Sequence, residues 1–109
     1  MPESTDFCLA LSTSPDAQTA HELAQGLVAA SLAACVNIVP GLVSFYPWKG
    51  RIETAEECLL IIKTRRSGFE AVRDYLRANH PYDLPEIIAV PIVAGLPEYL
   101  AWIDACLND

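Results

Sequence analysis

The chain has 109 residues, 52% of them apolar, 8% aromatic and 19% charged, a size and mixture that suit one globular domain and leave no tract biased enough to stay disordered. Its formal net charge is −7, with the 7 Lys and Arg spread along the sequence, which excludes a nucleic-acid groove and suits a cationic ligand better. The stretch Met1-Pro2-Glu3-Ser4-Thr5-Asp6 lacks the basic and apolar pattern of a secretion signal and no run approaches a membrane span, so a cytoplasmic protein with reduced thiols is expected.

Phe7 to Ser14 reads as a strand, apolar first and hydroxyl-bearing at its end, buried on both faces and leading into a helix. Ser14 is placed to cap that helix, Pro15 suits its first position, and Asp16 suits the positive end of its dipole. Ala20, Leu23, Ala24, Leu27 and Val28 recur three and four apart as one apolar stripe between about Pro15 and Leu32. Gly26 within the stripe suggests close packing against a sheet. Ala34 to Val39 is a second strand, and Pro40-Gly41, a missing donor followed by a permissive residue, predicts a bulge before pairing resumes from Leu42 to Trp48. Lys49-Gly50 is the turn of a hairpin whose return arm runs from Arg51 to Thr64. Each arm, about 14 residues, spans roughly 45 Å, whereas a compact domain of this length is roughly 34 Å across. The tip must therefore overhang and expose Phe45, Tyr46, Trp48 and Ile52, so another copy of the chain is expected to shelter it in a closed homo-oligomer.

Ser67-Gly68-Phe69-Glu70 has the pattern of a capping box, followed by a helix with Phe69, Val72 and Leu76 inward, flanked by Tyr75. That helix must stop before His80-Pro81. Pro85 to Ala94 reads as the last strand, which Pro91 assigns to an edge or a bulge. Pro97 and Glu98 open a C-terminal helix with Leu100, Ile103 and Leu107 on its inner face. The order is βαββαβ with a long β2–β3 hairpin and an extra C-terminal helix, the α+β arrangement of ferredoxin-like domains, and the short linkers predict a single domain over residues 1–109.

The polar junction His80-Pro81-Tyr82-Asp83-Leu84-Pro85-Glu86 carries the chemistry, because its prolines hold an imidazole, a phenol and two carboxylates in a restrained backbone. His80 is the candidate metal ligand, with Asp83 or Glu86 to orient its ring, whereas His21 beside the first helix's stripe reads as solvated. The four cysteines contain no CxxC spacing, and Cys35 is the thiol that could join His80. At period two Glu53 and Glu57 share a face of the return arm and Glu56 points oppositely. Lys63 follows the core run Leu59-Leu60-Ile61-Ile62 and calls for a carboxylate partner; Glu57 or Glu86 across an interface would fix an assembly. Ser12-Thr13-Ser14 reads as plain capping rather than an anion site, and no glycine-rich loop leads into a helix, so an acylphosphatase-like enzyme is disfavoured.

Ala33-Ala34-Cys35-Val36-Asn37, Ser44-Phe45-Tyr46 with Trp48 and Gly50, Glu57, Lys63-Thr64, His80-Pro81-Tyr82 with Pro85-Glu86-Ile87, and Tyr99-Leu100 with Trp102 closely resemble the CutA divalent-cation tolerance proteins. The resemblance implies a cytoplasmic, non-enzymatic homotrimer assembled through the long hairpin, related in shape to PII signalling proteins and associated with tolerance to metals, copper especially. It also implies Tyr46, Trp48, Lys63, Tyr82 and Trp102 at inter-subunit clefts, and weak binding of copper or another divalent cation by His80, Cys35, Glu57 and Glu86. Where some members carry a cysteine and a His-His pair, this chain has Ser12 and Asn79-His80, which leaves fewer soft ligands. A PII-like small-ligand sensor or interaction scaffold is the alternative that the same resemblance allows.

Overall fold

The structure, a computed structural model, describes residues 6–108; the expectation drawn from Met1 to Thr5 lies outside them. The elements are β1 (Phe7–Ser14), α1 (Ala17–Ala29), β2 (Cys35–Trp48), β3 (Arg51–Arg65), α2 (Phe69–Asn79), β4 (Ile88–Pro91) and α3 (Pro97–Cys106). They form one antiparallel sheet in the order β2-β3-β1-β4, the ferredoxin-like arrangement, with β2 and β4 as its two edges.

Alternation along the two central strands separates the faces. Ala10, Cys58, Leu60 and Ile62 are buried beneath Ala20, Leu23 and Leu27 of α1 and Val72 and Leu76 of α2. Leu9, Leu11, Leu59 and Ile61 point the other way and are half-buried, while Ile88 and Val90, their neighbours on β4, are exposed. Among the described residues no helix covers the middle of that second face; α3 closes only one end of it, where Leu100 and Ile103 pack with Phe7 and Ala34. The expected burial of β1 on both sides thus holds at Phe7 and Thr13 as well as on the helix-facing residues, and lapses only at Leu9 and Leu11, which are half-buried.

The hairpin is as long as its sequence demands. Its arms run 14 and 15 residues, joined by Lys49 at φ 50° and Gly50 at φ 78°, two positive φ values in a row, as a type I′ turn requires. β1 stops at Ser14 opposite Cys58, so Arg51 to Glu57 and their β2 partners extend beyond it by roughly 23 Å. The molecule is accordingly 49 Å long against 26 and 22 Å in the other directions. The bulge falls between Val39 and Leu42, where Gly41 takes φ 77°, and the extra residue switches the alternation of β2 from odd to even numbers without exchanging its faces.

Several local expectations change. α1 is shorter than its stripe and is capped by Asp16, whose carboxylate accepts from the Thr19 amide at 2.7 Å; Ser14 Oγ instead donates to the Asp16 carbonyl. The Ser67–Glu70 box does not form, because Arg66–Gly68 is a 3₁₀ turn and Gly68 precedes α2 without a side-chain cap. Gly26 lies against α2, not the sheet: a Cβ there would meet the Tyr75 hydroxyl at 1.7 Å. The last strand is only Ile88–Pro91, since Pro85 and Pro91 bracket it and neither can donate to a ladder; its edge position is the one expected for Pro91. α3 buries Leu100 and Ile103, with Leu107 half-buried just past its end. All four cysteines are free, and no helix among the described residues is long and apolar enough to cross a membrane.

Candidate functional site

The restrained junction sits where the body of the sheet meets the projecting hairpin. α2 ends at Asn79, and His80, extended at φ −83° and ψ 140°, turns the chain back toward β1. Its ring is buried, at 8% exposure. Nε2 lies 2.7 Å from the carbonyl oxygen of Thr13, and Nδ1 accepts the main-chain N–H of Tyr82 at 3.1 Å. The Tyr82 ring leans on the imidazole, with centroids 4.8 Å apart, and its hydroxyl donates to Glu57 Oε2 at 3.0 Å. The phenol's pKa is pushed up to about 12, first by burial, then by the hydrogen bond to Glu57, and further by the charges of Glu57, Tyr46 and Asp16. Negative charge at this spot is therefore already concentrated, which favours a neutral phenol or an arriving cation.

The candidate ligands are only partly brought together. His80 and Glu57 are linked through Tyr82, and Glu86 is exposed on the same loop. Asp83 is exposed too, and the ring of His80 is oriented not by Asp83 or Glu86 but by the Thr13 carbonyl and the Tyr82 amide. Cys35 lies elsewhere: it faces Lys63, whereas Thr13 faces Leu59, four positions and roughly 13 Å further along β3. Among the described residues no group of three His, Cys, Asp or Glu converges as a metal site, so within one chain the residues present do not fit a bound transition metal.

A second cluster occupies the uncovered face beside α3. The Lys63 ammonium donates to the Tyr99 hydroxyl at 3.2 Å and lies 5.4 Å from that ring's centre, and Tyr99 stacks on Trp102 at 5.5 Å. The partner of Lys63 within the chain is thus a phenol and not the expected carboxylate. Trp48 and Tyr46 stand far out on the hairpin, 58% and 41% exposed, with Lys49 over the Trp48 ring at 5.8 Å. From the sequence Thr13 has only a capping role and Tyr99 only a place in the family resemblance, with neither of these contacts foreseen. A main-chain carbonyl gives no sequence signal, whereas Tyr99 has one in its spacing of three from Trp102 on a helix.

Fold and site together define a ferredoxin-like α+β protein whose polar loop is pinned against an overlong hairpin, with one sheet face left open. The chain belongs to the CutA1 divalent ion tolerance protein family, whose family model matches residues 8–106. It is 46% identical over 93 residues to the divalent-cation tolerance protein CutA of Thermus thermophilus, covering 85% of this chain and 90% of that one. It is 48% identical over 91 residues to the chloroplastic protein CutA of Arabidopsis thaliana, covering 84% of this chain but 50% of the relative, so the chain spans about half the length of the plant protein. The crystal structure of CutA from Xylella fastidiosa superposes with a TM-score of 0.92 at 48% identity, covering 94% of this chain and 99% of that one.

Proposed function

We propose that the protein is a non-enzymatic, cytoplasmic homotrimer that serves divalent-cation tolerance, with copper or another divalent cation held weakly near clefts between subunits. The overhanging hairpin carries this reading, because a two-stranded ribbon exposing Phe45 at 72% and Ile52 at 78% is marginal in water unless something covers it. A second copy suits the task. The sheet has two different free edges, β2 and β4, and joining one copy's β2 to the next copy's β4 is a head-to-tail contact that closes only as a ring. The ring size of three comes from the family resemblance, and the tolerance role from the names of relatives such as the Thermus thermophilus protein.

Any cation role then falls to carboxylates, Glu57 and Glu86, completed by water or by a neighbouring copy, with Cys35 available only where copies meet. Sedimentation equilibrium at micromolar concentration tests the assembly: three copies are expected, and a monomer refutes it. Calorimetric titration with copper(II) tests the cation role: weak binding that Glu57→Gln reduces is expected, and no heat in the unaltered protein removes that role. A PII-like sensor is the second reading, favoured by the stacked Tyr99–Trp102 pair beside the Lys63 ammonium, which offers a surface to a planar anionic ligand.

A further inference from the structure

The imidazole that the sequence nominates as a metal ligand has no nitrogen to spare. A carbonyl oxygen only accepts, so the 2.7 Å contact with Thr13 requires a hydrogen on Nε2; a main-chain N–H only donates, so the 3.1 Å contact with Tyr82 requires a bare Nδ1. One tautomer satisfies both. The partners lie on opposite sides of the ring, one on β1, 67 positions away, and one on the loop two residues on. The second contact takes the part that an Asx turn plays elsewhere, a side-chain acceptor capturing the amide at i+2, and Pro81, with no N–H, makes the Tyr82 amide the next donor after that of His80, which caps the helix on the Leu76 carbonyl. A cation on Nδ1 would displace the Tyr82 amide, and one on Nε2 would leave the buried Thr13 carbonyl unpaired.

We infer that His80 is a positioning residue rather than a cation ligand: it ties the start of the loop to the end of β1 and so holds the Tyr82 phenol where it can donate to Glu57. This conclusion rests on the proposed cation role only for the titration described next, and it confines that role to other groups. Three elements meet through the contact, β1 at Thr13, the loop at Tyr82 and β3 at Glu57, and the ring is where they are fastened.

Long-range proton–nitrogen NMR of the full chain reads the ring directly. The expected spectrum is that of the Nε2–H tautomer, unchanged on addition of zinc(II), while zinc-dependent movement of either ring nitrogen signal overturns the inference. Two variants supply the second arm. His80→Ala should speed exchange of the Tyr82 amide about tenfold, the consequence of losing one hydrogen bond, and His80→Asn, whose side-chain oxygen can accept from the same amide, should restore most of that protection. Zinc(II) affinity by calorimetry should be the same in His80→Asn as in the unaltered protein. Loss of zinc binding in His80→Asn with the amide still protected makes His80 a ligand and overturns the inference. Failure of His80→Asn to protect the amide overturns the turn-like role. If the unaltered protein takes up no zinc(II), the cation reading fails while the tautomer and exchange results still decide the role of His80. Should His80→Ala not fold, the spectrum of the unaltered protein and the Asn variant decide it.

Discussion

Gly26→Ala sets two effects of similar size against each other. In a helix interior the substitution gains about 1 kcal/mol from backbone entropy. The new methyl would stand 1.7 Å from the Tyr75 hydroxyl and 2.8 Å from the ring carbon that bears it, so the phenol must swing aside. Tyr75 packs on the main core cluster, and forcing a packed side chain from its place costs about 1–3 kcal/mol. Taking the middle of that range, the net effect is a loss of about 1 kcal/mol, or roughly 4 °C in Tm. In a Tyr75→Ala background the obstacle is gone, and the same Gly26→Ala change should stabilise by about 1 kcal/mol, giving a coupling energy of about 2 kcal/mol between the positions. Guanidinium denaturation of the four proteins at one fixed protein concentration measures this, the fixed concentration removing any contribution from association. A stabilising Gly26→Ala in the otherwise unaltered protein, or a coupling energy near zero, would refute the reasoning.

Ser12 is fully buried and its hydroxyl has no partner among the described residues, so Ser12→Ala, which removes an unsatisfied group at the cost of little volume, should raise stability by about 1 kcal/mol; calorimetry would show Tm up by roughly 4 °C. The Tyr82 phenol, raised to about 12 from an ordinary value near 10, favours the folded state while it is protonated. That contribution is complete below about pH 10 and is lost as pH climbs to about 12, so the stability difference between the unaltered protein and Tyr82→Phe should shrink over this window in denaturation curves taken across it. Glu57→Gln should lower the phenol's pKa, read from phenolate absorbance, because it removes a charge that opposes ionisation. Arg65 fastens the end of α3, its guanidinium donating to the Asp104 carboxylate at 2.5 Å and to the carbonyls of Asp104 and Asn108 at 2.9 and 2.5 Å. Arg65→Met should cost about 2 kcal/mol and speed amide exchange in α3 selectively, whereas uniform acceleration across the chain would contradict that assignment.

What the sequence disclosed was what short-range physics determines. β1 and its limits follow from one apolar run, the hairpin turn from Lys49-Gly50, and the bulge from a proline next to a glycine. The stiffness of the His80 junction was equally legible, since proline acts on its immediate neighbours. The partners of His80 were not, because the Thr13 carbonyl reaches it only after the sheet has assembled and no residue type advertises a carbonyl. Lys63 was known to need a partner, but which group of α3 would approach it depends on how that helix crosses the open face. Ser67 and Glu70 fit a capping pattern that lost to a 3₁₀ turn, and Gly26 signalled a close approach without saying what approached. Short motifs state that something packs tightly; only the fold names the neighbour.

The single unmatched residue at Pro40-Gly41 has a geometric corollary. Three positions of β2 pass there against two of β3, yet Cys35, Asn37 and Val39 before it and Leu42, Ser44 and Tyr46 after it still look to the same side. Deleting Gly41 would therefore preserve which way every side chain points while straightening the ribbon and redirecting where it aims. The reach of this arm and its steering are written separately, one in the length of two strands and the other in a lone dropped stitch between them.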